Sequence, residues 1–197
     1  KELCNKNIIA LEFISESSFH DLWKDKDYLD SKILSDVNSL FFWLNAFHNS
    51  TIEDKNDNPL CYVDFGPKNL IPLSKKSAMF IDPPIEFTRK KAYFDFGTLV
   101  FEIERSMIQT SRFNLLFKIR SIAKNWVMSS KNNDIYRLYI NGINNHVLEV
   151  FKRYLQFYKK PKPLFELLRG FLIIPLLIVY IILFNIYELF NRAKYFK

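Results

Sequence analysis

The chain has 197 residues, a length that suits one domain with an appendage. Hydrophobic residues make up 49% and aromatic residues 17%, which supports a packed core and argues against disorder. The net charge of +7 fits nucleic acid, anionic lipid or an anionic substrate as partner; an AT-rich genome favouring Lys and Asn codons would give the same balance.

In chain order, Lys1 stands where an initiator Met would, and no signal peptide follows, so upstream sequence is expected. Ile8 to Ile14 is a short apolar run that reads as a buried strand. Ser15 to Ser18 breaks it, and His20 to Tyr28 reads as a short helix. Ile33 to His48 carries Ile33, Leu34, Val37, Leu40, Phe41, Leu44 and Phe47 at helical spacing. Thr51 to Pro59 is polar and loop-like. Cys4 and Cys61 form no metal or redox spacing, which points to a reducing compartment. Leu70 to Leu73 and Ala78 to Ile81 read as strands of a hairpin with a solvated turn, and Pro72 places the first at an edge. Tyr93 to Met107 reads as a core helix, followed by helices over Phe113 to Met128 and Ile143 to Tyr158.

The range 159–169 is a basic linker that opens Lys159-Lys160-Pro161-Lys162-Pro163. Phe171 to Phe184 then runs 14 residues without a charge, before Asn185 and Glu188 interrupt it. As a helix, 170–190 would be roughly 31 Å long at about 1.5 Å per residue, close to the thickness of a bilayer core. It reads as a transmembrane or membrane-embedded helix, which Pro175 could kink; an interfacial helix and a buried core helix are the alternatives. The tail 191–197 is basic, but more positive residues precede the helix than follow it. That bias predicts a cytoplasmic main domain at an inner or plasma membrane.

The chemistry concentrates in Tyr62-Val63-Asp64-Phe65-Gly66-Pro67-Lys68-Asn69 and Ile81-Asp82-Pro83. Asp64 and Asn69 are five apart, and Asp82 follows 13 residues later. Phosphoryl transfer asks a protein for positioning, metal ions and charge stabilisation. In that chemistry Asp64 would accept the proton of a substrate hydroxyl. Asn69 and Asp82 would offer oxygen ligands to magnesium, a hard cation. A hairpin between them would return both to one end of the site. Taken alone, the Asp64–Asn69 pair also fits a capped turn. His48 reads as a helix-end residue, His20 and His146 carry no signal, and Glu102 and Glu104 read as solvated. Lys68 could touch phosphate or solvent, and Arg89-Lys90-Lys91 is a solvated turn or a substrate-side basic patch.

These motifs resemble the C-terminal lobe of aminoglycoside-phosphotransferase-like kinases, relatives of choline and lipopolysaccharide kinases in the protein-kinase superfamily. That family's catalytic loop reads His-Gly-Asp, a few variable residues and Asn, and a second Asp follows a short hairpin. Asp64, Asn69 and Asp82 match in order. Leu11-Glu12-Phe13-Ile14 is similar to the hinge strand that meets adenine, which implies nucleotide contacts at Glu12 and Ile14; an ordinary core strand is the alternative. Phe47-His48 sits where the family's helix before the catalytic loop ends in Leu-His. Tyr93-Phe94-Asp95-Phe96-Gly97 resembles the helix start whose carboxylate braces that loop. The chain departs at Tyr62-Val63, where Tyr62 would replace the loop-supporting His, and at Pro83-Pro84 after Asp82.

The resemblance implies an α+β, mainly helical fold: a kinase-like C-lobe over 1–158, with a small hairpin. It implies ATP and Mg2+ as cofactors. The family's N-lobe has no counterpart here, and the four glycines, Gly66, Gly97, Gly142 and Gly170, make no glycine-rich loop. The expectation is therefore one portion of a longer or split kinase. It would transfer phosphate to a hydroxyl of a small molecule, sugar or glycolipid at the membrane, with an upstream or separate N-lobe as partner and no nucleic acid. The alternative is a catalytically inactive, membrane-tethered kinase-like binding or scaffold module.

Overall fold

The computed structural model describes residues 17–51, 60–61, 65–74, 77–80, 88–89, 92–128 and 133–157, with 175, 178–180, 182–184 and 186–187. The described chain is mainly helical, with two small antiparallel strand pairs. Helix α1 spans Phe19–Lys24, and its N-cap Ser18 accepts a hydrogen bond from the Asp21 amide at 3.2 Å. Helix α2 spans Asp30–Thr51 and buries Ile33, Val37, Leu40, Phe41 and Leu44, the apolar stripe that its spacing predicts. Strand β1 (Leu60–Cys61) pairs with β4 (Thr88–Arg89). Between them, β2 (Leu70–Ser74) and β3 (Ser77–Phe80) form the expected hairpin, with Leu70 opposite Phe80 and a register shift between Pro72 and Ser74.

Helix α3 (Ala92–Gln109) is the central element. It buries Leu99, Val100, Ile103 and Met107 against α2, against α4 (Leu116–Met128) and against α5 (Asn133–Phe157). A 3-10 turn, Phe113–Leu115, leads into α4, where the sequence predicts regular helix from Phe113. α5 starts ten residues before the expected Ile143. Gly142 packs inside this helix against α3. A Cβ at Gly142 would overlap the Phe94 carbonyl oxygen, and one at Gly97 would overlap the Tyr139 carbonyl oxygen. The two glycines let α3 and α5 cross backbone to backbone.

The end of α3 uses a residue other than glycine in a left-handed position. Ser111 has φ of 60°, while its amide donates to the Ile108 carbonyl at 3.2 Å and the Arg112 amide to the Met107 carbonyl at 2.8 Å. This is a Schellman cap, whose paired bonds satisfy the last helical carbonyls. Arg112 then reaches back, donating to Asp30 Oδ1 at 2.9 Å and to the carbonyls of Asp25 and Tyr28 at 2.6 and 3.0 Å.

The expected strand Ile8 to Ile14 lies outside the described residues. Among the described residues no helix is long and apolar enough to cross a membrane, and only part of 170–190 is described. What is described there is helical, with Phe184 buried and Tyr180 partly buried against the core.

Candidate functional site

The site region is framed by the two strand pairs. Pairing of β1 with β4 brings together the two ends of the segment 62–87. Inside that frame, the hairpin register returns the chain after Phe80 to the end where Asn69 stands. Phe65 is buried in the core cluster and anchors the turn that follows. The Asn69 amide donates to the Gly66 carbonyl at 3.0 Å, which closes that turn. Gly66 and Pro67 are buried, Lys68 is exposed, and Asn69 is half-buried.

One contact fixes this frame to α2, and a second joins α2 to α3. At the end of α2, Thr51 Oγ1 accepts from the Leu60 amide at 3.1 Å, so helix and β1 are joined directly. His48, in the last turn of α2, meets Asp95 in the first turn of α3, Nε2 to Oδ2 at 2.9 Å. Both side chains are buried. A carboxylate in the first turn of α3 also faces that helix's positive end. Asp95, predicted to brace the catalytic loop, is thus seen bracing α2 against α3 through His48. His48 takes the structural role expected of it.

His20 was silent in the sequence and is the residue that spacing missed. Its amide donates to the Pro67 carbonyl at 3.0 Å, placing α1 against the 65–69 turn. Its ring is buried, and Nδ1 has no hydrogen-bond partner among the described residues. Burial first, then the positive charges of Lys68 and Lys24, push its pKa down to about 4. The imidazole is therefore neutral at physiological pH. Nothing in the local sequence marks it, because its neighbours come from a loop more than forty residues away.

A second polar cluster lies along α3, and it corrects the expectation of solvated glutamates. Glu104 is fully buried and forms a two-pronged ion pair with Arg120, Nη2 to Oε2 at 2.6 Å and Nε to Oε1. Arg120 also donates to Tyr139 Oη at 3.5 Å and to the Tyr180 hydroxyl. Burial pushes the Tyr139 phenol up to about 12, despite the nearby guanidinium. Glu102 contacts His146 Nε2 at 2.7 Å and accepts from Arg105 at 3.0 Å. Burial works to raise the Glu102 carboxyl, but His146 and Arg105 together hold it down at about 2. Helical periodicity in α3 alternates these acids with the apolar stripe, and the partners that bury them sit on α4 and α5.

Of the predicted site residues, Asn69 and Asp95 are described; Glu12, Ile14, Tyr62, Asp64 and Asp82 lie outside the described residues. Among the described residues, no group of three or more His, Cys, Asp or Glu side chains could hold a metal ion. No family profile matches the chain, and no match is found among curated proteins or solved structures.

Proposed function

We propose that this chain is the acceptor-side part of an ATP-dependent phosphotransferase acting on a hydroxyl of a small molecule, sugar or glycolipid at a membrane. The observation that carries the reading is the hairpin frame: β1 and β4 join the ends of 62–87, and the Leu70–Phe80 register returns the chain to Asn69. The sequence places Asp64 three residues after β1 and Asp82 two residues after β3. Loop, hairpin, second Asp and Asp-bearing helix thus follow in the order the chemistry needs.

The donor set fits magnesium by type: a carboxamide at Asn69 and a carboxylate at Asp82 are hard oxygen ligands. Bound there, magnesium would neutralise charge on the nucleotide phosphates. Asp64 would orient the acceptor hydroxyl and take its proton. His48 and Asp95 would hold the helices behind the loop in register. A nucleotide-binding lobe would be supplied upstream or by a separate chain. One observation favours the inactive alternative: Gly97 and Gly142 are committed to helix packing, so neither can serve a phosphate-covering loop.

The test is magnesium-dependent ATP turnover by the chain together with its upstream sequence, against a panel of hydroxyl acceptors. Asp64→Ala and Asp82→Ala are each expected to lower turnover by about a hundredfold or more. Full activity in both variants would reject the site. Absence of any turnover, with nucleotide still bound, would favour the inactive module.

A further inference from the structure

The described residues between 175 and 187 are helical and divide into two faces. Tyr180, Phe184 and Tyr187 recur at four- and three-residue spacing and turn towards the domain. Arg120 donates to the Tyr180 hydroxyl, and its guanidinium lies 3.6 Å from the centroid of the Phe184 ring. Phe117 of α4 meets the Tyr187 ring edge-on at 6.0 Å. The opposite face is Ile178, Val179, Ile182, Leu183 and Ile186, each between 43 and 61% exposed. Five large apolar side chains on one face are more than the scattered exposure normal for a soluble surface.

Two uses of such a segment are disfavoured by this arrangement. A core helix would have both faces covered. A spanning helix would bring the Glu104–Arg120 pair, which its Tyr180 touches, to the depth of the hydrocarbon, where charged groups are costly. Charge names the remaining occupant. The flanks 159–169 and 191–197 carry Lys159, Lys160, Lys162, Arg169, Arg192, Lys194 and Lys197 against the single acid Glu166. Basic residues on either side of an apolar helical face match anionic headgroups around an acyl layer.

We propose that this helix lies in the plane of an anionic bilayer surface, with Ile178, Ile182 and Ile186 entering the headgroup–acyl boundary while Tyr180 and Phe184 keep it docked on the domain. This rests on the membrane part of the function proposed above and is independent of phosphotransfer. It sets the domain flat against the bilayer instead of hanging it from a stalk.

The experiment is flotation of the full chain with phosphatidylcholine vesicles, with and without phosphatidylserine. Binding is expected to require phosphatidylserine, and Ile178→Ser/Ile182→Ser/Ile186→Ser to weaken it at least about tenfold with an unchanged thermal transition. Single cysteines at Arg169→Cys or Lys194→Cys, in a Cys4→Ser/Cys61→Ser background, are both expected to react with an impermeant maleimide outside intact vesicles. Labelling of only one would show a span and overturn the proposal. Equal flotation of the triple variant would overturn it too, as would a lipid-free dimer that ignores vesicles. Vesicle binding needs neither ATP nor acceptor, so it can fail while turnover stands, and the reverse.

Discussion

His20 and His48 are both buried, and their surroundings differ in sign. His48 faces the Asp95 carboxylate, whereas His20 lies near Lys68 and Lys24. The folded chain holds His20 near 4, while the unfolded chain takes up its proton near 6.5. Between those values the unfolded state binds more protons, so stability is full above pH 6.5 and falls as pH drops towards 4. The loss from this one group approaches about 3 kcal/mol. Urea midpoints measured from pH 7.5 to 4.5 should fall steeply in the native chain and more gently in His20→Leu. Glu102 gives the complementary case: its carboxyl, held near 2 when folded, adds stability that is lost only as pH falls from its ordinary 4.5 towards 2. The two windows are therefore separable. At the other histidine, Asp95→Ala takes away the carboxylate that His48 meets in the core, at a cost of about 1–3 kcal/mol. Asp95→Asn retains an oxygen for that contact and should cost less, and thermal unfolding of the pair checks the order. The place of Asp95 at the start of a helix was readable from sequence, because an acid opening an apolar helix is a local pattern. His20 and Glu104 were not, because burial by distant elements leaves no trace in local spacing.

At the scale of elements, three of the long helices followed their apolar spacing: α2 and α4 each bury a stripe, and α3 is enclosed by its neighbours. α5 begins ten residues before its expected start at Ile143 and takes Gly142 into the helix. The physical difference is that a packing glycine and a terminating glycine are the same letter; only the opposing backbone of Phe94 tells them apart. Gly97→Ala and Gly142→Ala should each cost about 3 kcal/mol or more, since the clash is with backbone that cannot swing away. Chemical denaturation at neutral pH measures this directly, and a cost under about 1 kcal/mol would mean the helices can separate without penalty. The Schellman cap predicts the opposite sign. Ser111 pays the left-handed Cβ penalty at φ of 60°, so Ser111→Gly should raise stability by about 0.5–1 kcal/mol. The strands were legible for a different reason: two apolar runs around Ser74-Lys75-Lys76-Ser77 leave few alternatives to a hairpin.

Across the whole molecule, the hairpin after Asn69 was legible because both of its strands fall within one continuous segment, itself framed by β1 and β4. The sequence leaves the C-terminal helix open between a membrane span, an interfacial helix and a docked helix, because all three share the same apolar composition. The docked reading rests on a contact sixty residues away in sequence, between Tyr180 and Arg120. That contact also couples helix docking to the buried ion pair. Removing Arg120 alone would take the two-pronged partner from buried Glu104, a loss of about 3–5 kcal/mol that would obscure any effect on docking. Replacing both charges, in Glu104→Leu/Arg120→Met, removes the stranded carboxylate and refills the space with apolar atoms, which is often neutral for the fold. The double variant should therefore keep a near-native thermal transition. It should nevertheless lose the hydrogen bond to Tyr180 and the cation over Phe184, contacts that tie the helix to the domain. Amide hydrogen exchange over 178–187 should accelerate while exchange in α3 and α5 stays slow. Unchanged protection at 178–187 would mean that the aromatic face alone suffices for docking and that Arg120 serves only the core.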